Sequence, residues 1–208
     1  MKIEYKIVPR ESLTVIRGCS GCGGKTHFIN TKKFRVNANG SKIDVWLIYQ
    51  CERCRHTLNL AIYERQKVST IPEKEYRSFL ENDEQLAERY GRDVQLFRRN
   101  RAKIDPESLV YEYNTCEADL RTCCTEHTRD MQEGVWDSDL REGTEVVVHN
   151  PCGLKIRPDK QIAEILGLSR SQVKRLMEQG EIKPEESLPK MISFRVHEKF
   201  MTFYKDEQ

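Results

Sequence analysis

The sequence predicts a mixed α+β protein built from three segments, residues 1–63, 64–153 and 154–208. Two C-x-x-C pairs in the first segment enclose residues that alternate between apolar and polar types, as β-strands do. The second segment has apolar residues at helical spacing, and the third contains two short helical patterns separated by a turn. We therefore expect a β module, a helical middle region and a two-helix unit with short strands.

The composition is that of a globular protein. The chain has 208 residues, of which 38% are hydrophobic and 33% charged, with a net charge of +2. No apolar run reaches the roughly 18 to 20 residues of a membrane-spanning helix, and residues 1–13 lack the features of a secretory signal. We expect a cytoplasmic protein without a membrane partner. In that compartment thiols stay reduced, so its eight cysteines would be expected to bind metal rather than to form disulfides.

The small net charge conceals an uneven distribution along the chain. Residues 1–63 carry 11 Lys/Arg and 4 Asp/Glu, whereas residues 64–153 carry 13 and 20. Residues 154–208 carry 11 and 9. A basic segment followed by an acidic one indicates that the first third of the chain binds a polyanion and that the second third does not.

The first segment holds two C-x-x-C pairs that are separated by 28 residues, Cys19/Cys22 and Cys51/Cys54. Two intervening residues let both thiolates of a tight turn face one ion, and four thiolates complete a tetrahedron around Zn²⁺. Such a site has no open coordination position, which makes it structural rather than catalytic. We predict one structural zinc ion on these four cysteines, with His27 and His56 near the site but not ligands.

A β-hairpin is predicted between the two cysteine pairs. Residues 27–36 and 42–50 have strand-like patterns, and the Asn39-Gly40 dipeptide between them is a strong hairpin signal because both residues tolerate positive φ. Glycines at positions 18, 21, 23 and 24 are expected to supply positive φ angles around the first pair. A hairpin between two cysteine turns is the architecture of a zinc ribbon.

Cations follow the predicted hairpin, and aromatic residues lie between them. The cations are Lys25, Lys32, Lys33, Arg35 and Lys42, and the aromatic residues are Phe34 and Trp46. One interpretation is a nucleic-acid surface in which cations such as Lys33 and Arg35 contact phosphate and the rings stack on bases. The alternative is that both rings lie in the core and that the lysines protect an edge strand from pairing.

The second segment is predicted to be helical between residues 72 and 103. Pro72 suits the first position of a helix, and apolar residues follow at i, i+3 and i+4 spacing. A second helix is expected to begin near Asp83, with a break at Gly91.

Other cysteines and two histidines lie later in the chain, at Cys116, Cys123, Cys124, Cys152, His127 and His149. Their spacing allows a second metal site, but adjacent cysteines without flanking glycines make poor ligand turns, so the sequence leaves this site open. The phosphate-binding loop, the nucleophile elbow and the zinc-protease and dinucleotide motifs do not occur in the chain. We therefore expect no enzymatic activity.

The third segment contains two helical patterns joined by a turn. Gly167 ends the first pattern and Ser169 suits the N-cap of the second, which presents Arg170, Lys174 and Arg175 outward. Two short helices with a basic second helix are suited to contact with a phosphate backbone.

Three runs form a recognisable pattern here: Arg157-x-Asp159-x-x-Ile162-Ala163, Ser169-Arg170-Ser171 and Leu176-x-x-x-Gly180-x-Ile182. The pattern resembles the αL RNA-binding motif of a ribosomal small-subunit protein, pseudouridine synthases and bacterial tyrosyl-tRNA synthetases. The resemblance implies contact with structured RNA at the start of the second helix and at its basic positions. The candidate nucleic-acid residues of this segment are Arg157, Ser169, Arg170, Ser171, Lys174 and Arg175.

The same helices also resemble a DNA-binding helix-turn-helix, because Ala163, Gly167 and Val173 suit its small, turn and core positions. A third alternative is that the pair serves packing or dimerisation in a protein–protein adaptor. Asp159 and the Ser-Arg-Ser start favour RNA over DNA. The sequence leaves the oligomeric state open.

The order of the segments resembles a bacterial family catalogued as a domain of unknown function. The likeness includes the runs Phe34-Arg35-Val36-Asn37-Ala38-Asn39-Gly40 and Asp44-Val45-Trp46-Leu47-Ile48-Tyr49. It implies the architecture but no activity. The sequence therefore predicts a non-enzymatic zinc protein that binds RNA in preference to DNA.

Overall fold

The structure is a computed structural model that describes residues 2–115, 144–188 and 191–196. These residues form a mixed α+β fold with two β-sheets and five α-helices, which confirms the α+β class. The chain divides into two compact units. The inserted unit is Pro9–Glu112, and the outer unit is Met1–Val8 together with Tyr113–Gln208. These boundaries do not coincide with the divisions at 63/64 and 153/154 that the sequence suggested.

The nine strands of the described residues are β1 (Lys2–Pro9), β2 (Val15–Cys19), β3 (Gly24–Asn39), β4 (Lys42–Cys51), β5 (Thr57–Lys67), β6 (Tyr111–Thr115), β7 (Glu145–His149), β8 (Ile182–Leu188) and β9 (Met191–Val196). The helices are α1 (Glu73–Glu81), α2 (Glu84–Arg92), α3 (Val94–Arg99), α4 (Pro158–Leu166) and α5 (Arg170–Glu178). A single 3-10 turn, Val68–Thr70, precedes α1. None of the described helices is long and apolar enough to cross a membrane.

The inserted unit is a four-stranded antiparallel sheet, in the order β2-β3-β4-β5, with three helices packed on one face. The central strand β4 shows why one face is covered. Its alternate residues Ile43, Val45, Leu47 and Tyr49 are buried, whereas the residues between them are half-exposed. Tyr49 packs edge-on against Phe97 of α3, which identifies the buried face as the helical one.

Aromatic rings join the sheet to α1 and α2. The ring of Phe34 lies 4.9 Å from that of Phe79, which in turn stacks at 5.8 Å on Tyr90. Phe34 is only 7% exposed. The interpretation of Phe34 as an exposed stacking residue is therefore wrong, because the strand alternation turns this side chain into the core.

The predicted hairpin is confirmed, with its turn shifted by one residue. Asn39 pairs with Lys42 across the strands, so the two turn residues are Gly40 and Ser41, and Gly40 has a φ of 60°. A β-bulge interrupts the pairing of β3 with β4 between Asn30 and Lys33.

The helical region differs from the prediction at its internal break. α1 begins at Glu73, directly after Pro72, and Asp83 caps α2 by accepting a hydrogen bond from the Leu86 N–H. α2 continues through Gly91, and the chain leaves the helix only at Asp93, which caps α3. The predicted break at Gly91 is wrong.

Position 91 requires glycine for a different reason, because other segments of the same chain approach it closely. A Cβ atom at this position would lie 2.6 Å from Asn30 Nδ2 and 2.9 Å from Ser12 Cβ. The Gly91 carbonyl also accepts a hydrogen bond from the Leu13 N–H. The glycine therefore lets α2 contact the segment that leads into β2.

The outer unit contains a mixed five-stranded sheet in the order β6-β1-β7-β9-β8. β1 and β7 are parallel, and β7 pairs with β9, and β9 with β8, in antiparallel fashion. Residues Val146 to Val148 of β7 are buried. The predicted helix pair is present as α4 and α5, with buried faces that include Ile162, Leu166, Val173 and Leu176.

Replacement of Gly91 by alanine is expected to destabilise the inserted unit by more than about 1 kcal/mol, because the added methyl group must displace Ser12 and Asn30. An unhindered Gly-to-Ala change inside a helix instead stabilises by about 0.5–1 kcal/mol. The free energy of unfolding from urea denaturation gives the sign. Gly18→Ala is the control, because a Cβ at Gly18 would meet nothing within 4 Å. A Gly91→Ala protein of increased stability would contradict the close approach.

Candidate metal centre and nucleic-acid interface

The four cysteines of the C-x-x-C pairs lie in two turns at the same end of the four-stranded sheet. The first pair begins at the end of β2 and runs into the turn before β3, and the second begins at the end of β4. Because β2 and β4 run in the same direction through an antiparallel sheet, both turns fall at one edge. The sheet thus brings together two cysteine pairs with 28 residues between them in the sequence.

The sulfur atoms are close enough to share one ion. All four Sγ atoms lie within 4.8 Å of one another, and Cys19 to Cys54 and Cys22 to Cys51 measure 3.5 and 3.7 Å. A tetrahedral centre with metal–sulfur bonds of about 2.3 Å requires sulfur–sulfur distances of about 3.8 Å. The cluster therefore fits a tetrahedrally coordinated metal ion, and the predicted grouping of these four residues into a possible metal centre is confirmed.

The two cysteine turns have equivalent backbone geometry. The Gly23 N–H donates to the Cys19 carbonyl at 2.9 Å, and the Arg55 N–H donates to the Cys51 carbonyl at 3.0 Å. The two donor residues, Gly23 and Arg55, adopt the left-handed backbone conformation, with φ values of 69° and 64°. Glycine adopts this conformation at no cost, whereas a non-glycine residue such as Arg55 requires support from its surroundings.

Only one of the four glycines around the first pair has the positive φ that the sequence suggested, and it is Gly23. Gly21 serves another purpose, because a Cβ there would lie 2.9 Å from Cys54 Sγ. The absence of a side chain at Gly21 lets the sulfur of the second turn approach the first. The sequence identified the glycines but not their separate tasks.

Hydrogen bonding gives the thiols of Cys51 and Cys22 different pKa values. Burial opposes ionisation of the Cys51 thiol, but hydrogen bonds from the backbone N–H groups of Cys54 and Arg53 and from Thr26 lower its pKa to about 6. Hydrogen bonding with Cys54, together with desolvation, raises the pKa of Cys22 to about 12. In the metal-free cluster one sulfur is thus charged near neutral pH while another retains its proton.

Polar side chains outside the cluster form hydrogen bonds and ion pairs next to the two turns. Ser20 in the first turn and His56 after the second are joined by an Oγ–Nε2 hydrogen bond of 3.0 Å. His27 lies between two carboxylates, with Nδ1 3.1 Å from Glu52 and Nε2 3.3 Å from Asp105. Neither imidazole belongs to the group of four sulfur atoms.

The later cysteines give no second centre within the described ranges. Cys116, Cys123, Cys124 and His127 lie outside the residues that the structure describes. His149 is described and forms a 2.8 Å Nε2–Oε2 contact with Glu4. Among residues 2–115, 144–188 and 191–196, the group of metal-binding residue types that lies close enough to hold an ion is the four-cysteine cluster.

The candidate nucleic-acid residues of the hairpin lie on the face of the sheet opposite the helices. Lys33 and Arg35 are exposed and flank the buried Phe34. The neighbouring Lys32, which has a φ of 58° in the β-bulge, instead pairs with Glu88 at 2.7 Å and with Glu84 at 3.5 Å. The bulge therefore separates a cation of the helical face from two cations of the opposite face.

The candidate residues of the helix pair surround the start of α5. Gly167 ends α4 in the left-handed conformation, with a φ of 55°. Ser169 is the N-cap of α5 and forms a capping box with Gln172. Ser169, Arg170 and Ser171 are exposed at this helix start, and Lys174 and Arg175 are exposed one turn further on.

One carboxylate organises two of the candidate arginines. Asp159 lies 3.0 Å from Arg157 Nε and 3.0 Å from a terminal nitrogen of Arg170. Burial opposes its ionisation, but these two arginines lower the pKa of Asp159. Lys174 makes a looser contact of 3.9 Å with Glu178. The structure thus brings Arg157 and Arg170 together around Asp159, while Lys33 and Arg35 belong to the inserted unit.

Comparison with known proteins gives one family. The model of the family described as "Protein of unknown function (DUF1062)" matches residues 36–188, which is more than half of the chain. No curated protein and no solved structure shows a significant match to the chain.

Metal affinity of the cysteine cluster is expected to fall as the pH decreases. Binding must displace the Cys22 proton at any pH below about 12, and below about 6 it must also displace a proton from Cys51. We expect the affinity for Co²⁺ to fall at least tenfold per pH unit between pH 8 and 6, and more steeply below about 6. Thiolate-to-cobalt absorption bands measure the affinity. An affinity that is constant across this range would contradict thiolate ligation by these residues.

Proposed function

The chain belongs to the DUF1062 family of proteins of unknown function, and on this premise we propose that it is a non-enzymatic zinc-ribbon protein that binds RNA in the cytoplasm. The observation that carries the metal part is the convergence of four sulfur atoms within 4.8 Å. The observation that supports the RNA part is the cluster of exposed cations at the start of α5.

Zinc is the ion that a closed four-thiolate site favours. Zn²⁺ accepts tetrahedral sulfur coordination without a redox change, and four protein ligands leave no position for substrate. The two turns with left-handed residues at Gly23 and Arg55 hold the ligands in place. We therefore assign the ion a structural role at the end of the sheet.

The helix pair supports the RNA proposal through its arrangement of donors. The N-terminus of α5 carries the positive end of a helix dipole, and Ser169, Arg170 and Ser171 surround it. Asp159 holds the guanidinium groups of Arg157 and Arg170 next to each other. Pre-positioned guanidinium groups recognise phosphate oxygens with little loss of side-chain freedom.

DNA binding is the second candidate, and one observation favours it. α4 and α5 are joined by a three-residue turn, and the strands β8 and β9 follow directly. A helix-turn-helix uses the same connection and places its second helix in the major groove, where Ser171, Lys174 and Arg175 would face the bases. Duplex DNA is therefore the required comparison in every RNA experiment.

The purified protein is expected to contain one zinc ion per chain by elemental mass spectrometry. Cys54→Ser should remove the metal because three remaining thiolates no longer close the tetrahedron. Cys152→Ser is the matched control and should keep it. Removal of zinc should accelerate hydrogen exchange at the Gly23 and Arg55 amides, whose hydrogen bonds form the two turns, and leave α4 and α5 protected. Two zinc ions per chain would contradict the single site.

Reversal of charge on α5 is expected to weaken RNA binding. A chain with Arg170→Glu, Lys174→Glu and Arg175→Glu should bind a structured hairpin RNA at least about tenfold more weakly, and the wild-type affinity should fall steeply between about 50 and 200 mM salt. Fluorescence anisotropy with labelled RNA measures both effects. The conservative exchange Lys174→Arg with Arg175→Lys keeps the charge and should keep the affinity.

Duplex DNA and single strands of the same length serve as competitors. Preference for duplex DNA over hairpin RNA would favour the helix-turn-helix function. Failure of all three ligands to bind at low salt would contradict nucleic-acid binding altogether.

A further inference from the structure

The sheet of the inserted unit has a second face, opposite α1, α2 and α3. We call it the open face and define it by the side chains that lie on it along β3, β4 and β5: Ile29, Lys33, Arg35, Trp46, Ile48 and Asn59. Ile29 is 44% exposed, and Trp46 and Ile48 are half-buried on the central strand. Large apolar groups are thus accessible on a surface that the helices do not cover.

Strand register places cations and apolar groups side by side on the open face. Arg35 pairs with Trp46, which pairs in turn with Ala61 of β5. One step along the sheet, Lys33 pairs with Ile48 and Ile48 with Asn59. Directly paired residues have Cβ atoms about 4.5–5.5 Å apart. Each of the two cations therefore borders an apolar group of the central strand.

Both cations of the open face are available to an outside partner. Within the described residues, no carboxylate forms an ion pair with Lys33 or Arg35. The nearest acidic residue along this face of β4, Asp44, accepts a hydrogen bond from the Arg65 backbone N–H at 2.7 Å. By contrast, Arg157 and Arg170 of the helix pair share Asp159.

We propose that the open face binds unpaired nucleotides of RNA, with Trp46 stacking on a base and Lys33 and Arg35 contacting the phosphates on either side of it. The proposal rests on the proposed RNA-binding function and adds to it a second contact surface, of single-strand specificity. Asn59 supplies an amide that donates to and accepts from base edges.

Two physical arguments favour unpaired RNA as the occupant. An indole at the surface of a sheet stacks on a base only when that base is free of a duplex, and aromatic platforms flanked by cations are the usual means of holding single strands. A protein partner is less well matched, because the centres of protein interfaces are depleted in lysine and Lys33 lies within the apolar patch.

The test uses the full-length zinc-loaded protein and a labelled, unstructured oligouridine of about 12 nucleotides, which exceeds a minimal single-strand site. Trp46→Leu keeps an apolar side chain but removes stacking, and is expected to weaken binding about tenfold, the loss of one stacked base. Trp46→Phe should recover part of the affinity. Thermal unfolding of each variant shows whether the sheet is intact, and Trp136→Phe leaves Trp46 as the single tryptophan, whose fluorescence the RNA should quench.

Charge is tested by a matched pair of variants. Lys33→Gln with Arg35→Gln should weaken oligouridine binding and reduce the slope of log affinity against log salt by about 1.4, since each phosphate contact on a single strand contributes about 0.7. Lys74→Gln with Arg99→Gln removes the same charge from exposed positions on α1 and α3 and should leave affinity and slope unchanged.

The outcomes separate this proposal from the function on which it rests. Loss of oligouridine binding in the Trp46→Leu and Lys33/Arg35 variants, with the α5 charge-reversal variant retaining it, supports the open face. Hairpin RNA bound through α5 while oligouridine is ignored would overturn the open-face proposal and leave the proposed function standing. The open-face proposal would also be overturned if the Lys74/Arg99 control lost as much oligouridine affinity as the Lys33/Arg35 variant. Unchanged Trp46 fluorescence on addition of the RNA would overturn it as well. Absence of binding to any RNA would overturn both.

Discussion

Four sulfur atoms must lie within 4.8 Å of one another at one end of the inserted sheet, and this requirement links two cysteine pairs that have 28 residues between them. The β2–β3 and β4–β5 connections have to end at the same level, and the strands between them therefore need a defined register. Three helices cover one face of the resulting sheet. Lys33, Arg35, Trp46 and Ile48 lie on the other face, so the position of the candidate RNA surface follows from the same constraint as the candidate metal centre.

Electrostatics divides the cations of the chain into two groups. Some lie against carboxylates of the same fold, as Lys32 does with Glu88 and Arg170 with Asp159. Others, such as Lys33 and Arg35, have no such partner among the described residues. An arginine in an ion pair is held in a defined direction. A cation without such a partner remains mobile, and no neighbouring carboxylate offsets its charge when a ligand binds. The two groups therefore suit different contacts, one oriented and one adaptable.

Features that depend on neighbouring residues in the chain were predictable from the sequence. The cysteine turns, the Gly40 hairpin and the Ser169 cap each carry their own local signal. Features that depend on distant contacts were not. The need for glycine at position 91 comes from Ser12 and Asn30, and the burial of Phe34 comes from helices that begin at Glu73. The left-handed backbone of Arg55 gives no signal in the residue type, because arginine ordinarily avoids it.

The insertion of one unit within the other has a consequence for synthesis on the ribosome. β1 is made first, but its parallel partner β7 begins at Glu145, so this pairing must wait for more than half of the chain. The inserted unit is complete at Glu112, and its ends are joined by a hydrogen bond from the Arg10 N–H to the Val110 carbonyl. Its sheet, with the four-cysteine cluster, can therefore fold before β7 supplies the parallel partner of β1. Vectorial synthesis thus imposes an order in which the locally connected unit matures before the sheet that encloses it in sequence.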